Sequence, residues 1–181
     1  MSSRTEETVE IHRGLKGVYF ERSGVSSIDG RAGELRYRGY SIHDLAEHGS
    51  FEETAYLLLH GELPTGSQLT GFDRALKAAR AVPDTVYEII RRTGHAHPME
   101  VLRTAVSALG AVDEHANDTS REAVLMKGIS LTAQLPVIVA AHHRLRNGDD
   151  PVTPLSDLSH AANFLYMLKG EGPSENAARL I

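Results

Sequence analysis

Leu125-Met126-Lys127-Gly128-Ile129-Ser130-Leu131-Thr132-Ala133-Gln134-Leu135-Pro136-Val137-Ile138-Val139-Ala140-Ala141 is the stretch whose reading decides the fold. It is apolar on almost every side of a helix, and it sits inside a longer helical pattern from about Ser120 to Arg146, ended by Asn147-Gly148. A helix apolar all round is normally buried in a large protein or an oligomer. A chain of 181 residues covers such a helix only with difficulty. Two readings follow: a central core helix, or a helix at a subunit or domain interface. Both can hold, in different parts of the helix. Pro136 removes one backbone donor and predicts a kink or a break.

Outward from this stretch the pattern stays helical. Ser41 is placed to cap a short helix through Ile42, Leu45 and Ala46. Ser50 and Glu53 have capping-box spacing before Ala55-Tyr56-Leu57-Leu58-Leu59, and Gly61 supplies the stop. Ser67 is read as the cap of a helix running to about Ala81, and Asp84 as the cap of the next, ended by Gly94. Pro98 suits the first turn of a helix carrying Met99, Leu102, Val106 and Leu109, ended by Gly110. Residues 111–119 read as a polar loop. Ser156 or Asp157 opens a helix through Leu158, Ala162, Leu165 and Leu168, ended by Gly170.

The two ends differ. Residues 1–10 are polar and read as a flexible N-terminus; residues 11–181 carry no repeat and no dividing linker. Between 14 and 40 lie many glycines and two short β-prone runs, Val18-Tyr19-Phe20 and Leu35-Arg36-Tyr37. The first is the best strand candidate, and Asp29-Gly30 signals a turn between them. At the other end Ser174 caps a last helix that reaches Leu180 and Ile181 with no stop signal after it. That pattern reads as the first part of something larger.

Composition bounds the function. The apolar fraction is 41% and the charged fraction 24%, an ordinary globular mixture. Net charge is -5 and no Lys/Arg block dominates, which argues against nucleic acid as a partner. No uninterrupted apolar run of about 18 residues occurs, so no membrane-crossing helix is expected. The start, Met1-Ser2-Ser3-Arg4-Thr5-Glu6-Glu7, lacks the apolar segment of a signal peptide. A cytoplasmic protein is the simplest fit. The chain contains no cysteine, so disulfide and thiol chemistry are excluded within it.

Ten histidines invite a metal or acid–base reading. His95-Ala96-His97 and His142-His143 are the tightest groups, but H-x-H alone lacks a third ligand, and no metal site is expected. His97 reads instead as a helix N-terminal residue before Pro98, and His142 and His143 as residues near a helix C-terminus. His160 lies on an otherwise apolar helix and reads as a satisfied buried histidine. Ser159 beside it points elsewhere, so no triad is expected. Gly14-Leu15-Lys16-Gly17 matches no phosphate-loop pattern, yet Arg13 and Lys16 suit an anionic group; a solvated basic loop is the alternative. Arg36 and Arg38 alternate around Tyr37 and would share one solvent face of a strand.

Four ordered stretches resemble the N-terminal part of citrate synthase and 2-methylcitrate synthase. They are Arg13-Gly14-Leu15-Lys16-Gly17-Val18; Gly33-Glu34-Leu35-Arg36-Tyr37-Arg38-Gly39-Tyr40-Ser41-Ile42; Leu57-Leu58-Leu59-His60-Gly61-Glu62-Leu63-Pro64-Thr65; and His97-Pro98-Met99 leading into Leu102. Asp157-Leu158-Ser159-His160-Ala161-Ala162-Asn163-Phe164-Leu165-Tyr166-Met167 agrees too. The resemblance runs from about residue 11 to 178 and is nearest in style to the short bacterial and archaeal type. It implies a mainly α-helical fold of a large and a small domain, homodimeric through packed antiparallel helices, with residues 11–181 an incomplete N-terminal part of the large domain; the small N-terminal β element read from residues 14–40 fits beside it. It also implies an acyl-CoA substrate, acetyl-CoA or propionyl-CoA, condensed with oxaloacetate by an aspartate and two histidines, with no permanently bound cofactor and no metal.

The resemblance assigns no catalytic residue in this chain. Its D-H-x-x-N-[AV]-S and G-P-L-H-G motifs do not occur here. Only Arg13 carries over, as a contact to the CoA phosphates. The chain therefore reads as an N-terminal portion, truncated before the catalytic region and inactive alone. Two alternatives stand beside it: one half of a split synthase completed by a separate C-terminal half, and a non-catalytic dimerisation or regulatory module.

Overall fold

The computed structural model describes residues 14, 17–19 and 21–179. The expected flexible residues 1–10, the two basic residues Arg13 and Lys16, and the apolar pair Leu180 and Ile181 lie outside them.

The sheet comes first in the chain. Strands β1 (Ser26–Asp29), β2 (Glu34–Tyr37) and β3 (Tyr40–Ser41) form an antiparallel meander in sequence order. The Asp29-Gly30 turn is where the sequence puts it, and Asp29 Oδ1 accepts from the backbone N–H of Arg31 and Ala32. The first strand is not at 18–20. Val18 and Tyr19 lie in no strand among the described residues and Tyr19 is exposed, while Phe20 lies outside the described residues. β-propensity loses here to register: the turn pairs Asp29 with Glu34, so the four residues before it become the strand. Arg38 is not on a strand beside Arg36 either. Arg38 (φ 49°) and Gly39 (φ 93°) are the two positive-φ residues of the tight β2–β3 hairpin. Arg36 stays on the solvent side, near Glu34. The Arg38 guanidinium turns under the sheet and donates to the Leu58 carbonyl at 3.2 Å.

Helices follow: α1 (Ile42–His48), α2 (Phe51–His60), α3 (Gly66–Ala78), α4 (Asp84–Thr93), α5 (Pro98–Val112), α6 (Arg121–Arg146), α7 (His160–Lys169) and α8 (Glu175–Arg179). The caps at Ser41, Ser50 and Ser174 are those expected, and Ser120, read only as the approximate start of the long helix, caps it. Ser50 and Glu53 close a reciprocal capping box, and Gly61 ends α2 in the left-handed region. Four boundaries move. Thr65, not Ser67, caps α3, because Gln68 three residues on completes a box with it, and α3 ends at Ala78. Pro83 precedes α4, so Asp84 acts on the helix dipole and not as a cap. α5 passes through Gly110 to Val112. α7 opens at Ser159, whose hydroxyl accepts from Ala162, rather than at Ser156 or Asp157.

α6 is the axis. It runs unbroken through Pro136. Ile129 and Ala133 pack on Tyr56 of α2 and on Phe72 and Leu76 of α3. Ile138 and Ala141 pack on Val86 and Ile90 of α4 and on Val101, Ala105 and Leu109 of α5. Val137 and Ala140 meet Met167 of α7. The all-round apolar pattern thus has a direct cause: different faces are claimed at different heights. The burial is incomplete, and Val124, Met126, Leu131 and Val139 remain exposed. By length and composition alone α6 could also cross a membrane, against the expectation from uninterrupted runs. Its packing against α3, α4, α5 and α7 makes it a core helix here.

Ile138 sits where α4, α5 and α6 meet and is almost fully buried. Ile138→Ala should lower unfolding free energy by about 2–5 kcal/mol in a urea titration. Val124→Ala, on an exposed part of the same helix, should change it by no more than about 0.5 kcal/mol.

Candidate functional site

Four polar side chains are buried among the described residues: Arg80, His142, His160 and Asn163. Three of them meet at one junction. The end of α3 delivers Arg80, the start of α7 delivers His160 and Asn163, and the start of α2 brings Phe51 and Glu52 opposite.

Arg80 is only 4% exposed. Its guanidinium donates to the carbonyls of Leu155 and, at 3.0 Å, of Leu158. Burial pulls its pKa below the usual guanidinium range, and Asp73, Glu52 and Asp157 oppose that. Asn163 Oδ1 accepts from the Leu155 N–H at 2.8 Å, and Arg144 Nε donates to the Asp150 carbonyl at 2.6 Å. The connection 149–159 has no helix or strand of its own. These side chains supply the partners that secondary structure would otherwise provide.

Glu52 Oε1 accepts from the backbone N–H of His160 at 2.8 Å, which ties α2 to the start of α7. The Phe51 ring lies flat on the imidazole, with centroids 4.1 Å apart and planes 6° from parallel. His160 is 8% exposed, and burial lowers its pKa; Glu52 raises it and Arg80 lowers it further. The expected buried histidine is therefore found. Ser159 spends its hydroxyl on the α7 cap, so no Ser–His pair forms.

His97 and His142 also bond to backbone. His97 caps α5: its Nδ1 accepts from Met99 while Glu100 reaches back to its own N–H. His142 Nε2 lies 3.3 Å from the Gly94 carbonyl, and His143 is exposed beside Asn147. No group of three or more His, Asp or Glu side chains stands close enough to hold a metal among the described residues. Gly14 and Gly17 both have positive φ, so the basic N-terminal motif needs its glycines for backbone reasons.

A groove of about 740 Å³ opens between the C-terminal part of α5 and the N-terminal part of α6. Leu109, Val112, Met126 and Leu131 line it, with Asp113 and Asp118 at its edge. Lys127 Nζ donates to the carbonyls of Ala116 and Asp118 and so fastens the edge loop to α6. The sequence signalled this groove only through the all-round apolar pattern of α6. The Arg80–Glu52–His160 junction left no signal, because its members lie 28 and 80 residues apart along the chain (80 − 52 and 160 − 80).

Among the described residues, a long apolar axis is wrapped by shorter helices, and the buried polar side chains are bonded mainly to backbone. The family model described as "Citrate synthase, C-terminal domain" matches residues 14–181. The citrate synthase of Haloferax volcanii is 49% identical over 171 residues, covering 92% of this chain and 45% of that protein. A 2-methylcitrate synthase of Mycobacterium tuberculosis is 39% identical over 169 residues, covering 93% of this chain and 42% of that one. The crystal structure of citrate synthase from Pyrobaculum aerophilum superposes with a TM-score of 0.86 at 36% identity, over 99% of this chain and 48% of that one. The chain belongs to the citrate synthase family. It spans about half the length of the relatives it matches.

Removing Arg80 leaves buried carbonyls without donors. Arg80→Ala should cost about 2–5 kcal/mol by thermal or urea unfolding. Arg80→Lys should recover part of that loss, since one ammonium cannot reproduce the two-pronged geometry.

Proposed function

We propose that this chain is the N-terminal helical portion of an enzyme that condenses acetyl-CoA or propionyl-CoA with oxaloacetate, giving citrate or 2-methylcitrate and CoA. The observation that carries this reading is the family match across residues 14–181, together with the order of the motifs. The placement at the N-terminal side rests on those motifs. In this reading an aspartate takes the proton next to the thioester carbonyl, and one histidine polarises that carbonyl. A second histidine activates the keto group of oxaloacetate, and hydrolysis releases CoA. The part described above is the scaffold, and the chain alone is inactive. Arg13, outside the described residues, is the contact for CoA phosphate.

Homodimerisation belongs to the same proposal. The exposed apolar residues of α6 and the groove beside α5 support it, since unpartnered apolar surface of this kind marks an interaction face. Leu131→Arg combined with Val139→Arg should convert a dimer to monomer in sedimentation velocity. A wild-type chain that is already monomeric would overturn this part.

Thiol release from acetyl-CoA or propionyl-CoA, with and without oxaloacetate, tests the catalytic claim. The chain has no cysteine and adds no background. The isolated chain should release none. Adding a polypeptide that matches the remaining part of a relative should give oxaloacetate-dependent release. Turnover by the isolated chain would overturn the claim that it is inactive alone.

A further inference from the structure

His160 lies beneath a cover one ring thick. Its imidazole is 8% exposed, yet the Phe51 ring stacked on it is itself 41% exposed. The groups around it leave little room for a positive charge. Arg80 comes from the α3–α4 connection and cannot move away, because the Leu155 and Leu158 carbonyls hold its guanidinium. Glu52, from α2, is the one counter-charge acting on the ring, and its Oε1 is taken by the backbone N–H of His160. Asp157, in the connection before α7, is exposed and acts on Arg80. Asn163 on α7 is turned to Leu155 and Met167. No charged group of α6, which packs along α7, acts on the ring among the described residues. The face of Phe51 offers a cation about 0.5–1 kcal/mol, less than the several kcal/mol that burying a charge costs.

A protonated imidazole then has one route to relief, which is to swing past Phe51 into water. That motion separates the stacked rings and leaves the bond from the His160 backbone N–H to Glu52 to hold the start of α7 against the start of α2 without the stack. We propose that the Phe51–Glu52–His160 junction is an acid-sensitive latch, whose protonation at the imidazole frees the start of α7 and the connection 149–159 from α2. This goes beyond the synthase reading and does not depend on it.

The sign follows from linkage. The opened imidazole takes up a proton near its ordinary pKa of about 6.5, and the closed one resists it. The closed form is fully favoured above that value and loses ground as pH falls through it. If the closed ring stays neutral, the open fraction rises about tenfold between pH 7.5 and 5.5.

Amide hydrogen exchange on the full chain, corrected for intrinsic rates, reads this directly. The reporters are the N–H groups of Leu155, His160, Ala162 and Asn163, each bonded within the latch. Their protection should fall about tenfold from pH 7.5 to 5.5. Protection at Ile90 and Ala105, in the α4–α5 core, should hold. His160→Phe keeps a ring against Phe51 but carries no proton, and should flatten the response. Should that variant fail to fold, NMR titration of the wild-type His160 ring decides, with a midpoint below about 6.5 expected. The latch is overturned by pH-independent protection, by an unchanged response in His160→Phe, by a His160 midpoint at or above the ordinary value, or by equal loss at Ile90 and Ala105.

Discussion

Everything described here leans on the burial of α6. Its side chains contribute to all three apolar clusters of the fold, each on a different face and at a different height. Burial of this kind is non-directional and scales with the apolar area removed from water. One helix can therefore organise five others without a specific polar contact to each. Gly128 lets α2 approach closely, since a Cβ there would lie 3.0 Å from a Leu59 methyl. Pro136 is tolerated because surrounding helices, and not the local ladder alone, hold the segment.

Polar side chains serve a different purpose. The connection 149–159 has no secondary structure to satisfy its backbone. Arg80, Asn163 and Arg144 supply donors and acceptors to Leu155, Leu158 and Asp150. A guanidinium suits this because its fixed geometry serves two carbonyls at once. Its neighbours Asp73, Glu52 and Asp157 lower the cost of burying the charge. Of these, Glu52 and Arg80 also act on His160.

Local signals were legible and long-range ones were not. Capping at Ser50–Glu53, the stop at Gly61, the Pro98 start and the Ser174 cap depend on residues within a turn of each other, and all four hold. The misplaced strand at Val18-Tyr19-Phe20 shows the limit, since its propensity was real but pairing was decided by the turn at Asp29. Thr65 displaced Ser67 because a partner three residues on outweighs a lone hydroxyl. Alternation around Tyr37 puts Arg38 on a strand, whereas the hairpin needs positive φ at both Arg38 and Gly39. The family motifs reached further than periodicity could, because they encode the whole chain's order. Even so, they gave no hint that Arg80, Glu52 and His160 meet.

The distribution of polar chemistry bears on what such a chain can do. Catalysis by paired acid and base needs side chains that are free to face a substrate and are held within hydrogen-bond reach of it. The buried polar groups described here have spent that freedom. Arg80 and Asn163 hold backbone, Glu52 holds an N–H, Ser159 and His97 cap helices, and His160 lies under Phe51. Arg38 Nε is the buried polar side-chain atom left without a partner among the described residues, and the surface left open is apolar, the exposed stripe of α6 and the groove beside α5. A surface of that kind gains by covering itself with another polypeptide. Among the described residues, then, the buried polar groups are committed to holding the fold, and the surface left uncovered along α6 is apolar.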